Sequence, residues 1–173
     1  MITVINGVTS KQVLADELIS VLNGMKLDGY FYLGYPVLGG MEGKIKVDAL
    51  LVCKQYGLVI FDLEMSSEDD IEKKTLLLDN LYNNMEARLK RYNYLSNRRK
   101  LQVPINVLCY APRYKVIGED IFSSAEQMKR YLESLSWEES DDYYEKLLEA
   151  IQMISQIKKR GNRTNLLKDS SKG

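Results

Sequence analysis

Histidine is missing from all 173 residues. Its absence excludes Ser-His-Asp and Cys-His nucleophilic catalysis, a histidine general base and histidine-ligated zinc from this chain's own side chains. Cysteine is nearly missing too, with only Cys53 and Cys109 present. Each lies in an apolar, strand-like run, and thiols so far apart form neither a zinc knuckle nor a disulfide framework. Buried free thiols in a reducing cytosol are expected instead. No apolar run approaches the roughly 20 residues needed to span a bilayer. The N-terminal MITVINGV also lacks the basic and long apolar regions of a secretory signal. The expected setting is therefore cytoplasmic, with no membrane partner. Neither charge is in excess, since Lys+Arg and Asp+Glu number 24 each. Any contact with nucleic acid must then come from a local patch and not from net charge. A GxxxxGK[ST] loop is absent as well, which excludes nucleotide hydrolysis by that device.

What is present is one ordinary globular domain, with 45% hydrophobic and 28% charged residues. Its organising stretch is 44–64, read as two strands and a turn. The first strand is expected over 45–53 and carries Asp48 where it turns apolar. Lys54-Gln55-Tyr56-Gly57 supplies the turn, Gly57 tolerating the positive φ of a tight reversal. The run Leu58-Val59-Ile60-Phe61 suits a strand buried on both faces, and it ends in Asp62-Leu63-Glu64. Period two puts Asp62 and Glu64 on one face, and a hairpin brings Asp48 to the same region. Carboxylates gathered there repel one another, and a hard divalent cation would relieve that repulsion. The plainer reading of strand-end acids is that they are solvated where the chain leaves the core.

Around this hairpin the spacing predicts helices over 10–23, with Ser10 as N-cap, and over 71–95, 125–135 and 142–159. A buried strand is expected over 103–110. The 10–23 helix carries Glu17 at the edge of its apolar face. The 71–95 helix is expected to bury Ile71, Leu78, Tyr82, Met85, Leu89 and Tyr92. Its far end and exit are basic, with Arg88, Lys90, Arg91, Arg98, Arg99 and Lys100 interleaved with Tyr92 and Tyr94. Cations suit a helix C-terminus, yet this many bases exceed what a macrodipole requires, so a phosphate-contacting patch is expected. The fold expected is α/β, a central mixed sheet flanked by helices over 1–160, followed by a polar linker over 161–173.

A helix with an acid, a hairpin bearing Asp48 and Asp62-x-Glu64, a second helix and another buried strand resemble the PD-(D/E)XK nuclease superfamily. With the segment LSNRRKLQVPINVLCYAP, the chain resembles the nuclease-related domain (NERD) at the amino terminus of bacterial superfamily I helicases of the UvrD/Rep type. The resemblance covers roughly residues 12–160. It implies a restriction-endonuclease-like core and DNA as partner, with a helicase motor following Gly173. Asp48 and Asp62 match the acids that hold Mg²⁺ or Mn²⁺ in active members, with Glu17 a further ligand contributed by the first helix. Glu64 falls where the family usually has lysine. It reverses the charge there, and is left as a third metal ligand or a base for water. Lys46, taken to share a strand face with Asp48, is the better-placed substitute for that lysine, with Lys54 in the turn behind it. Two versions follow from the resemblance. In one, metal-dependent phosphodiester hydrolysis occurs at these acids. In the other, which the altered lysine position and zero net charge favour, the site has decayed and the domain positions DNA through its basic patch. A non-catalytic protein-interaction or regulatory domain is the alternative.

Overall fold

A computed structural model describes residues 1–7, 9–40, 43–63, 71–113 and 118–162, with side chains described at all of these except 40 and 156–162. In chain order the first elements are β1 (Ile2–Asn6), α1 (Gln12–Asn23), β2 (Gly29–Leu33), β3 (Val37–Gly40), β4 (Gly43–Lys46), β5 (Ala49–Cys53), β6 (Gly57–Leu63) and α2 (Ile71–Leu89). There follow a 3₁₀ turn at Asn93–Leu95, then β7 (Ser96–Asn97), β8 (Lys100–Leu101), β9 (Ile105–Tyr110), β10 (Ile121–Phe122), α3 (Ala125–Glu133) and α4 (Ser140–Asn162).

Six strands form one sheet in the order β1-β2-β5-β6-β9-β10. β5 pairs antiparallel with both of its neighbours, β2 and β6, whereas β1, β9 and β10 each join by parallel pairing. The chain is thus α/β with a central mixed sheet flanked by helices. Both faces are covered because β5 and β6 are apolar on both sides and buried throughout. On one face Leu14, Leu18 and Leu22 of α1, with Met128 and Leu132 of α3, cover Phe31, Leu51, Phe61 and Leu108. On the other, Leu78, Leu81, Met85 and Leu89 of α2, with Leu147, Ile151 and Ile154 of α4, cover Leu50, Val52, Leu58 and Ile60. Cys53 and Cys109 are both buried and unbridged. Among the described residues no helix is long and apolar enough to cross a membrane.

The turn 54–56 closes the β5–β6 hairpin, and Gly57 takes a φ of +83°. A β-carbon there would meet Pro104 Cδ at 2.9 Å. Gly57→Ala is expected to lower stability by about 1–2 kcal/mol from the left-handed backbone alone, read as a drop in the urea midpoint at unchanged slope.

Four expectations change. The strand over 45–53 is broken: β4 pairs with β3 in a separate two-stranded sheet, and only β5 belongs to the main one. The chain crosses between them at Val47–Asp48, where Val47 N–H donates to the Pro36 carbonyl and Gly34 N–H to the Asp48 carbonyl. Ser10 does not cap α1. Lys11 holds the N-cap position without a side-chain cap bond, and its amide donates to Thr9 Oγ1. α2 ends at Leu89, and its buried stripe runs Lys74, Leu78, Leu81, Met85, Leu89, leaving Ile71 and Tyr82 exposed. Finally, α4 runs on through Asn162, past the expected start of the linker, and 163–173 lie outside the described residues.

Candidate functional site

Because β6 runs antiparallel to β5 and parallel to β9, the start of β5 and the ends of β2, β6 and β9 share one end of the sheet. The start of α1 comes to the same end. Carboxyl ends of strands are where open α/β sheets usually place their ligands. Asp48 enters this end just before β5, and Asp62 arrives one residue from the end of β6.

Each carboxylate already holds a lysine. Asp48 Oδ2 accepts from Lys11 Nζ at 2.9 Å and from the Leu63 amide at 2.9 Å. The second bond caps the β5–β6 ladder just beyond its last pair, Ala49 with Phe61. Period two turns Phe61 and Leu63 toward α1, so Asp62 faces α2, where Lys74 Nζ donates to its Oδ2 at 2.7 Å. Both partners are nearly excluded from water, with side chains 10% and 7% exposed. Burial pushes the Asp62 carboxyl above its ordinary value; Lys74 pulls it down, nearby Asp48 adds to the rise and Lys11 opposes it. These effects tie the two ion pairs into one cluster of two acids and two ammonium groups, formally neutral. Cys109 lies opposite Asp62 in the β6–β9 register. Burial, reinforced by Asp62, raises its thiol to about 12, which keeps it protonated and unreactive.

The other expected site residues fall elsewhere. Glu17 accepts from Tyr110 Oη at 3.3 Å and lies 3.7 Å from Arg113 Nη2. It therefore sits on the α1 face of the sheet, whereas Asp62 faces α2. Lys46 is exposed on β4, in the small sheet, because the strand break before β5 removes it from the Asp48 strand face. Lys54, in the turn of the hairpin, is at the opposite end of β5 and lies 3.2 Å from Asp141. Glu64 lies outside the described residues. Among the described residues, no three Asp, Glu or Cys side chains are gathered as a metal ion would need. Among the described residues the acids gathered at this end are Asp48 and Asp62, fewer than the several oxygen ligands a hard cation takes. Here an ammonium already occupies one oxygen of each acid.

The basic residues stand at the other end of the molecule. Ile105, at the start of β9, pairs with Leu58, whereas Asp62 pairs with Cys109 further along. Helix rise separates Lys74 from Lys90 by about 24 Å. Arg98 and Arg99 form the two-residue loop of the β7–β8 hairpin, and both have positive φ, 53° and 66°. Lys90, Arg91, Arg98, Arg99 and Lys100 are exposed, and Arg88 is half-buried. Lys90 lies 3.9 Å from Glu86. Among the described residues no carboxylate is within ion-pair distance of Arg98, Arg99 or Lys100. Beside the hairpin a groove of about 450 Å³ is lined by Tyr82, Lys90, Arg99, Lys100 and Pro104, among others.

Lys11 and Lys74 are the residues that sequence reasoning missed. Lys74 carried a signal, since it precedes Leu78 by one helical turn and so lies on the buried stripe. Lys11 carried none beyond its position ahead of α1.

No protein-family model matches the chain, and neither does any curated protein or solved structure.

Proposed function

We propose that this chain is a nuclease-like accessory domain that positions DNA, its phosphodiesterase site degenerate, in the manner of the amino-terminal domain of a helicase whose motor follows Gly173. The observation that carries the reading is the arrangement of Asp48, just ahead of β5, beside Asp62 on β6, with Asp48 neutralised by Lys11 at the start of α1 and Asp62 by Lys74 of α2. The order α1, β2, β5, β6, α2, β9 supports a restriction-endonuclease-like core, because it is the helix, hairpin, helix and strand sequence that the resemblance implies. Neutralisation by Lys11 and Lys74 favours positioning over cleavage, since each acid that would draw Mg²⁺ or Mn²⁺ already has its charge balanced by an ammonium group. The contact surface proposed is the basic end. Arg98, Arg99 and Lys100 offer charge to phosphates, and the exposed rings of Tyr82 and Tyr94 offer stacking faces to unpaired bases.

The test combines DNA binding with metal titration. The wild-type chain is expected to bind single-stranded DNA with a salt-dependent affinity. Arg98→Ala/Arg99→Ala is expected to flatten the slope of log K against log salt by about 1.4, at about 0.7 per phosphate contact on a single strand. Calorimetry should register no Mn²⁺ binding, and no DNA should be cleaved in Mn²⁺. Cleavage that Asp62→Ala abolishes would overturn the degenerate reading in favour of an active nuclease. Absence of DNA binding would overturn the proposal and leave a protein-interaction or regulatory domain.

A further inference from the structure

Away from both ends of the sheet, a cavity of about 580 Å³ lies between the β1–β2 edge and α4. Its volume falls within the range of pockets that hold small molecules. One wall is aromatic. Tyr30 and Tyr32 project from the same face of β2 with ring centroids 6.4 Å apart, and Tyr35 meets Tyr32 edge-on at 5.7 Å. The other wall is one face of α4, where Glu145, Glu149, Gln152 and Ser155 recur at helical spacing. Glu145 and Glu149 are exposed, so they stand at the mouth, while Tyr32 and Ser155 are buried.

Ser155 is the telling residue. It is only 7% exposed, it lines the cavity, and its Oγ has no hydrogen-bond partner among the described residues. A buried hydroxyl without a partner is uncommon in a native protein and calls for a group that satisfies it. The rings supply a second specification. Burial holds the Tyr32 hydroxyl at about 12, so its ring stays a neutral phenol. The faces of neutral phenols attract cations through their quadrupole, within about 6 Å of the ring centre. Two carboxylates at the mouth add attraction of the same sign and repel anions.

We infer that this cavity binds a small organic ammonium cation carrying a hydroxyl, with Tyr30, Tyr32 and Tyr35 around the cationic head, Glu145 and Glu149 at the mouth, and Ser155 hydrogen-bonded to the hydroxyl. An alkylated ammonium suits these walls better than a metal ion or a primary amine. Its charge is spread over apolar methyl groups, so it gives up little hydration to enter an aromatic wall.

The test uses the whole chain and three probes in calorimetric titrations. These are choline, tetramethylammonium, and the neutral isostere of choline in which carbon replaces nitrogen. Choline is expected to bind at least about tenfold more tightly than the isostere. Tyr30→Leu and Glu149→Gln, at half-buried and exposed positions, are each expected to weaken choline several-fold. Ser155→Ala is expected to weaken choline while leaving tetramethylammonium, which has no hydroxyl, unchanged. Equal binding of choline and its isostere would overturn the inference and make the cavity a plain apolar pocket. Failure of the folded wild-type chain to bind either cation would overturn it outright. Neither outcome depends on whether the basic hairpin binds DNA.

Discussion

Lys74→Met is expected to lower stability by about 3–5 kcal/mol at neutral pH, the usual result of leaving one member of a buried ion pair without its partner. Methionine keeps the stem that packs with Leu78 along α2, so the loss isolates the charge. Burial already raises Asp62 above its ordinary value of 3.8, and Lys74 is the strongest influence holding it down. Removing the ammonium lets the folded-state value climb further. A group whose pKa is higher folded than unfolded binds protons on folding, so stability falls as pH rises through that interval. The Lys74→Met deficit should accordingly be largest above the folded-state value and shrink as the pH is lowered toward 3.8. The double variant Lys74→Met/Asp62→Leu should recover wild-type stability or exceed it by about 1–4 kcal/mol, as apolar replacements of buried pairs often do. Urea denaturation of the three proteins across pH gives the answer. A Lys74→Met loss below about 1 kcal/mol, typical of exposed pairs, would mean that the pair is solvated and the cluster is not a closed unit.

Arg98→Asn/Arg99→Gly is expected to make the chain more stable and to weaken the DNA binding proposed above. Positive φ at both loop residues is the geometry of a type I′ hairpin turn, for which Asn-Gly is the favoured pair. Arginine in that region carries a penalty of about 1–2 kcal/mol per residue, and asparagine and glycine relieve much of it. A gain of about 1–2 kcal/mol in unfolding free energy is expected, alongside a loss of salt-dependent DNA affinity matching that of the double alanine variant. Opposite signs in the two measurements would show that strain is retained at the loop for the sake of its charges. A stability unchanged or lowered would show that the arginines make native contacts outweighing the backbone strain.

The sheet and its hairpin were readable because their signals are local. Leu58-Val59-Ile60-Phe61 is a short apolar run bounded by Gly57 and Asp62, and every residue of it is buried in β6. The helix expected over 125–135 likewise forms as α3, where Ser124 is the N-cap, its Oγ accepting from the Gln127 amide. The break at Val47 was not readable, since the partner of its amide is the Pro36 carbonyl, brought near only by the fold. The distance between acids and bases depends on β9 running parallel to β6, which composition does not encode. Lys74 was misleading for a different reason. Lysine usually lays its stem along apolar surface and keeps its head in water, so a lysine on a buried stripe reads as solvated until a carboxylate is found facing it. Glu17 lay at the edge of its helix face as expected, but a flank position does not tell which side of a sheet a side chain serves.

The β5–β6 hairpin, closed by the short turn before Gly57, also has a kinetic consequence. Hairpins form in about 1–10 μs, whereas α2 packs most heavily on β9, which pairs with β6 only across the long segment between them. Asp48 and Asp62 are therefore expected to meet early, while their strands are still wet, and Lys74 to arrive late. Contacts made after the rate-limiting barrier are felt in escape from the native state and not in entry to it. Stopped-flow chevrons of Lys74→Met should then show a nearly unchanged refolding limb and a strongly accelerated unfolding limb, making the buried pair a latch on the lifetime of the fold.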